Sequence, residues 1–477
     1  MRKPILIALL LLAIAVPGLE AQEKLMTLEE CVNYALANSV SAQNAMLDQE
    51  IAKAKVKETI GIGLPQVSGS ASLTHNPELS RFFTTYDTTS FFSAGLAGVP
   101  GIQIGDVAAA ENFFQLKSAG DANVMINQLI FNGSYIVGLQ TASIYKSFAE
   151  KSRLQTEEEI KVNVSKAFYA VLINKERLNL FTTNIARIDS LLNDTQAMYE
   201  NGFAEKIDVS RLKVTLNNLK VEKENFEKLD ELAIALLKFQ MNYPYEDGLA
   251  LAGEISDDLI SLTEETLLSA QYDYSLRPDY QVLEVNRELQ KMNIRNIYAE
   301  SVPSIGAFAK LGYSTQSPTF GGLLKTEATW DEVEGAGPDK WYNYSMIGLS
   351  LNWSLFTGLQ RNFRLQQQKL ELQKIENSFD MLESSINMER TQSITNLKNA
   401  QNSLMSQSEN MELAEEVFSV TQTKFQEGVG SNLEVIEAES SLKEAQTNYY
   451  EALYNAIIAK IDLLKAIGTL DKFFEQP

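Results

Sequence analysis

The chain has 477 residues and carries 62 acidic against 41 basic side chains, a formal charge of −21 that excludes a nucleic-acid binder of the ordinary basic kind. Its one cysteine, Cys31, permits no internal disulfide, and its one histidine, His75, supplies no multi-histidine metal site. Any serine triad or Cys-His pair would have to use that same histidine, and no phosphate-binding glycine loop is present, so the chain reads as a non-enzyme without cofactor or metal.

Taken in chain order, residues 1–21 read as a signal peptide. Arg2 and Lys3 precede an apolar run from Ile5 to Val16, Pro17-Gly18 breaks it, and Ala21 offers a small residue at the cut. Cys31 lies well past that cut, so no lipid anchor is expected. A helix is predicted over Leu28 to Ile60, opened by Thr27 with Glu30 three residues on, the pattern of a capping box. After Pro65 a strand follows, with Val67, Gly69, Ala71 and Leu73 on one face and Gln66, Ser68, Ser70 and Ser72 on the other. A long polar loop, near His75 to Asp121, carries the aromatic clusters Phe82-Phe83, Phe91-Phe92 and Phe113-Phe114. A second strand leads into Asn127-Gln-Leu-Ile-Phe-Asn-Gly133, and a proline-free run extends from there to a turn at Gly202.

The second half repeats this order. Tyr34 to Leu73 aligns without a gap on Tyr272 to Leu311, pairing Gln43 with Gln281, Glu50 with Glu288 and Leu64-Pro65 with Val302-Pro303. Asn352-Trp-Ser-Leu-Phe-Thr-Gly358 answers the first strand exit, and Phe425-Gln-Glu-Gly428 answers Tyr199-Glu-Asn-Gly202. The interval from Gly133 to Gly202 is one position shorter than that from Gly358 to Gly428. Two structural repeats are therefore expected, 22–250 and 251–477, intertwined in one body. The second opens at Thr263 with Glu264 and Glu265 in its first turn. Its strands carry Ile305, Ala307, Ala309 and Leu311, then Ile347, Leu349, Leu351, Trp353 and Leu355, on their apolar faces. Tyr313, Trp341, Tyr342, Tyr344, Trp353 and Phe356 lie near the strand ends, and a second polar loop spans Ser314 to Lys340. In the last helix Val435, Ala438, Leu442, Ala445, Tyr449, Ala452, Ala456, Ala459, Leu463 and Ala466 fall on 4-3 spacing, a coiled-coil seam.

Apolar alternation with aromatic ends fits a membrane barrel strand, and it equally fits a half-buried sheet in a soluble protein. Four strands per chain cannot close a barrel, since the smallest have about eight. An open sheet edge in lipid is prohibitive, so the membrane reading requires several copies. A soluble coiled-coil scaffold is the alternative of a different class.

The ordered set of motifs resembles the TolC family of outer-membrane efflux proteins over nearly all of the chain after the signal peptide. Met26-Thr-Leu-Glu-Glu-Cys-Val-Asn-Tyr-Ala-Leu-Ala-Asn38 is similar to the family's helix start, and the two strand exits and two glycine turns are similar to its own. The resemblance implies a mainly α fold with a small transmembrane β part: a homotrimeric 12-stranded β-barrel, four strands per chain, continued by a long periplasmic α-helical barrel. It implies placement in the outer membrane, in contact with its lipid. It further implies docking onto a periplasmic adaptor of an inner-membrane RND or ABC transporter. The function implied is a passive exit duct of a tripartite efflux pump, with a type I secretion duct for polypeptides as the alternative in that class.

In the family, the glycine of each turn and the residue after it meet the adaptor, which here are Gly202 with Phe203 and Gly428 with Val429. Those glycines also read simply as left-handed helix caps, and one position can serve both. Acidic side chains often line the family's periplasmic mouth. By position these would be Glu434 and Glu437, three apart on one helix face, and Asp208 after the first turn. Ser431-Asn-Leu-Glu434 also reads as a capping box. Gly430-Ser431-Asn432 stands where some members carry a basic residue that locks the mouth.

Overall fold

The computed structural model describes residues 24–112, 114–253, 255, 272–325, 328–329 and 340–474. The signal peptide, the helix start at Thr263 and Phe113 lie outside the described residues. In chain order the elements are β1 (Lys24–Met26), α1 (Leu28–Asn38), α2 (Val40–Ile62), β2 (Gln66–His75), β3 (Arg81–Thr85), β4 (Val107–Glu111), β5 (Ser118–Phe131) and α3 (Gly133–Glu200). These are followed by α4 (Lys206–Met241), β6 (Leu249–Leu251), α5 (Pro278–Ala299), β7 (Ser304–Ser317), β8 (Ala328–Thr329), β9 (Trp341–Asn352), α6 (Gln360–Gln426) and α7 (Asn432–Ala466). Short 3₁₀ turns at Phe91–Leu96, Tyr274–Leu276, Phe320–Leu324 and Leu470–Phe473 complete the described set. Two compact units emerge, and each takes segments from both halves of the sequence.

One unit comprises residues 54–143 and 290–370 and contains the four long strands, hydrogen-bonded in the order β2-β5-β7-β9 and antiparallel throughout. The register aligns apolar residues across the strands on one face. Val67, Ile126, Ala309 and Ile347 form one row, and Gly69, Val124 and Leu311 lie in the next row of that face. The opposite face carries Ser70, Asn123, Gly312 and Tyr344, then Ser72, Asp121, Ser314 and Tyr342. On that polar face the Tyr344 hydroxyl donates to Asp121 at 2.6 Å, and Lys310 lies 3.8 Å from the same carboxylate. A one-residue slip would exchange the faces, so the alternation fixes the pairing.

Two details depart from the sequence reading. The fourth strand ends at Asn352, leaving Trp353, Leu355 and Phe356 beyond it. Asn352 pairs with Ser304, and the next partner would be Pro303, which has no N–H to donate to the ladder. Trp353 instead donates its indole N–H to the Ser301 carbonyl at 3.1 Å. The first loop is also less irregular than expected, because β3 and β4 form a five-pair antiparallel ladder inside it.

The described residues of the other unit, which takes in the segments up to 53, 144–289 and 371–477, form helices and the parallel pair β1–β6. Within the chain, α3 and α6 have 68 and 67 residues, each about 100 Å of helix at 1.5 Å per residue. The seam of α7 is as the spacing predicts: Val435, Leu442, Ala456 and Ala466 are fully buried, and only Tyr449 is partly exposed. Alanine at alternate seam positions lets neighbouring backbones approach closely.

The first predicted helix is broken. Ser39 is extended, with φ −63° and ψ 144°, and its hydroxyl accepts from the Ala42 N–H at 3.3 Å, starting α2 anew. The carbonyl of Asn38 freed by this break accepts from the Asn242 side chain at 3.0 Å. Asn242 is itself the left-handed cap of α4, with φ 56°.

Candidate functional site

The two glycine turns are built alike. At the end of α3 the Gly202 N–H donates to the Tyr199 carbonyl at 3.0 Å and the Phe203 N–H to Met198 at 2.8 Å. At the end of α6 the Gly428 N–H donates to Phe425 and the Val429 N–H to Lys424, both at 3.0 Å. These are the paired bonds of a Schellman cap, which needs a left-handed residue; φ is +83° at Gly202 and +75° at Gly428. The cap turns the following side chain outward, leaving Phe203 85% and Val429 79% exposed. A Cβ built on either glycine would meet nothing within 4 Å.

Beneath the turns lies a small core that joins four helices: Ile188 and Leu191 of α3, Leu212 and Leu216 of α4, Phe418 and Phe425 of α6, and Val435 and Leu442 of α7. The starts of α4 and α7 are tied directly. The buried Asn432 donates its amide to the Asp208 carbonyl at 3.0 Å.

The acidic candidates fare differently. The Asp208 carboxylate accepts from the Glu205 N–H at 3.2 Å and stands 3.7 Å from Arg211, so it caps its own helix and pairs locally. Glu434 is exposed, and its backbone N–H donates to the Ser431 hydroxyl at 3.3 Å, which is half of the expected capping box, since the Glu434 carboxylate accepts no bond from the Ser431 N–H. Glu437 is exposed and has no hydrogen-bond or ion-pair partner among the described residues. Of the three, only Asp208 has its carboxylate engaged; those of Glu434 and Glu437 have no hydrogen-bond or ion-pair partner among the described residues.

The sequence reading missed a polar row beside the seam. Glu439, Gln446, Leu453 and Lys460 recur every seven residues along α7 and are all buried. Arg187 of α3 lies 3.2 Å from Glu439 and stacks over Phe418 with its guanidinium carbon 4.7 Å from the ring centre. Asn184 of α3 donates to Gln446 at 3.1 Å. Burial pushes the Glu439 carboxyl above the ordinary range, and Arg187 opposes that shift. The heptad interval was the available signal, but polar residues next to a seam read as solvent-facing.

Residues 274–469 match the family described as outer membrane efflux protein. The chain is 20% identical over 321 residues to the probable efflux pump outer membrane protein TtgC of Pseudomonas putida, covering 67% of this chain and 62% of that one. It is 19% identical over 355 residues to the outer membrane protein TolC of Vibrio cholerae, covering 74% of this chain and 77% of TolC. Its fold is similar to the crystal structure of the outer membrane protein VceC from Vibrio cholerae, with a TM-score of 0.63 at 16% identity over 92% of this chain and 96% of VceC. Over residues 274–469 the chain is similar to the outer membrane efflux protein family. The family match spans α5, the last strands and both long C-terminal helices, so Gly428, Val429, Glu434 and Glu437 lie inside it. Gly202, Phe203 and Asp208 lie outside it. The chain spans about three-fifths of the length of the Pseudomonas relative it matches.

Proposed function

We propose that three copies of this chain form an outer-membrane exit duct of a tripartite efflux pump, with the helical part in the periplasm. The observation that carries this reading is the sheet. Its apolar row is turned to solvent in the single chain: Ile347 is 83% exposed, Leu349 73% and Leu351 67%. Among the described residues, edge strand β2 has no partner beyond β5, and β9 gains only the two-residue β8. Such a sheet is costly in water and, if open, prohibitive in lipid. Closing it with copies of itself removes both costs. Residues 22–250 and 251–477 then act as two repeats that each supply two strands and one tip. Gly202, Phe203, Gly428 and Val429 form the surface for a periplasmic adaptor that belongs to an RND or ABC transporter.

Envelope fractionation with chemical cross-linking tests this. A trimer in the outer-membrane fraction is expected, and a soluble monomer would sink the proposal. Partners recovered on a tagged chain identify the machine: an adaptor with a proton-driven pump for efflux, or with an ATP-driven transporter for secretion.

Glu434 and Glu437, on one face of α7, would place rings of negative charge at the periplasmic mouth. Glu437→Ala is expected to raise the concentration of a trivalent cation needed to block the pore by about tenfold, the loss of one carboxylate ring from the lumen. Unchanged block in planar bilayers would mean that Glu437 does not face the conduit. Asp208→Ala should change block less, since its carboxylate is held by Glu205 and Arg211.

A further inference from the structure

We propose that the cavity where the sheet of residues 54–143 and 290–370 meets its helices is an oxyanion site, binding a phosphate or carboxylate group of a solute on the conduit wall. The inference rests on the duct reading for its place on the conduit, though not for the binding itself. The cavity measures about 300 Å³. Its walls carry the hydroxyls of Ser134, Ser354 and Thr357, able to donate, and that of Ser304, which donates to the Asn352 carbonyl at 3.4 Å, together with two arginines of the first turns of α6, Arg361 and Arg364.

The charges do not balance. Glu300, the one acid in the lining, lies 2.7 Å from Arg364 and neutralises it. Arg361 is half-buried and has no ion-pair or hydrogen-bond partner among the described residues. A guanidinium withdrawn from water without an acceptor is unfavourable, and its planar fork matches an oxyanion. The site is also an anomaly within a chain of net charge −21. Neither α3, which begins beside the cavity, nor α6 has an acid in its first turn to offset the positive helix end.

The sheet register says which way the cavity opens. Ser304 pairs with Asn352, and both line the cavity. Counting by twos, they share the face of Lys310, Tyr344 and Asp121, the polar one. Leu351, Leu349 and Ile347 belong to the other face. In a closed barrel the polar face is the inner one, so the cavity borders the lumen rather than the lipid. Three copies would set a cationic belt at the base of the barrel, and the acidic residues of the mouth lie on other helices.

Two measurements on the full-length protein test this. In calorimetry of the detergent-purified chain, inorganic phosphate and glycerol phosphate should bind saturably, and Arg361→Gln should weaken both about tenfold. Arg361 holds no contact whose loss would unfold the chain, and Arg361→Lys, which keeps charge without the fork, should fall between. Arg295→Gln, outside the cavity and bonded to Gln140, should change nothing. In planar bilayers, glycerol phosphate should reduce conductance in the wild type and far less in Arg361→Gln. Equal binding by wild type and Arg361→Gln overturns the inference while leaving the duct intact. Binding of inorganic phosphate alone, with no glycerol phosphate bound, overturns the assignment to a solute group. Arg361-dependent binding by a protein that forms no channel supports the oxyanion site and removes the duct reading.

Discussion

Gly428→Trp and Gly202→Trp are each expected to lower recovery of the periplasmic adaptor in cross-linked co-purification at least about tenfold, with the amount of trimer in the envelope little changed. The separation of the two effects follows from the turn geometry. With φ at +75° and +83°, any side chain is strained at these positions by about 1 kcal/mol. Yet a Cβ there points into open space, so a bulky group displaces nothing within the chain. It would occupy only the surface beside Phe203 or Val429, the surface we propose for docking. Asparagine tolerates the left-handed conformation and is small, so Gly428→Asn serves as the control for backbone strain and should retain most of the adaptor. Full adaptor recovery by both tryptophan variants would remove the tips from the docking surface. Loss of trimer in both would mean that the glycines matter to the fold first. The third possible outcome, a defect at one tip alone, would show that the two repeats do not dock equivalently.

The periodic parts of the chain were legible because periodicity is a local property. Val67 to Leu73 alternates strictly and Ile305 to Leu311 does so apart from Phe308, each shortly after a proline, and both became strands of one sheet. The 4-3 spacing of α7 likewise became a buried seam. What escaped was set by contacts distant in sequence. The break at Ser39 lies inside a good helical pattern, and the Asn38 carbonyl it frees is met by Asn242, some two hundred residues away. Lys24–Met26 and Leu249–Leu251 are too short to show any period, so their parallel pairing could not be foreseen. Glu439 and Lys460 carry charge and read as surface, and only α3 and the C-terminal turn make their burial tenable. At the tips the glycine conformation could be read from the sequence, because it is a matter of local sterics. Asn432 reaching the Asp208 carbonyl could not, because it joins the two halves.

Arg277 is the side chain whose loss should cost the fold most. It is 6% exposed, and its guanidinium forks onto Asp279 at 3.0 and 2.8 Å, reaches Glu389 of α6 at 2.6 Å, and meets the Ala466 carbonyl at the end of α7 at 3.4 Å. Burial alone would lower its pKa, but the hydrogen bonds and charges of Asp279 and Glu389 outweigh this and raise it. Arg277→Met removes the cation that holds the start of α5, the middle of α6 and the end of α7 together. Breaking a buried pair costs about 3–5 kcal/mol. Here Asp279 and Glu389 keep 27% and 37% exposure and can rehydrate, so about 2–3 kcal/mol is expected at pH 8.

The loss should depend on pH through Glu158, a neighbour of the same cluster. Burial pushes its carboxyl up to about 7, and Arg277 partly opposes the rise. A carboxyl with a raised folded pKa binds more protons folded than unfolded between about 4.5 and 7. Its contribution to stability is therefore most favourable below 4.5 and declines as pH rises through 7. Removing Arg277 withdraws the counter-charge, so the penalty on ionised Glu158 grows and Arg277→Met should be less harmful at pH 5 than at pH 8. Unfolding followed by circular dichroism at both pH values reads this directly, and Glu158→Gln in the Arg277→Met background should recover part of the loss at pH 8 alone. Equal destabilisation at the two pH values, with no recovery, would mean that Glu158 is not coupled to Arg277 and that the guanidinium acts only through Asp279, Glu389 and the end of α7.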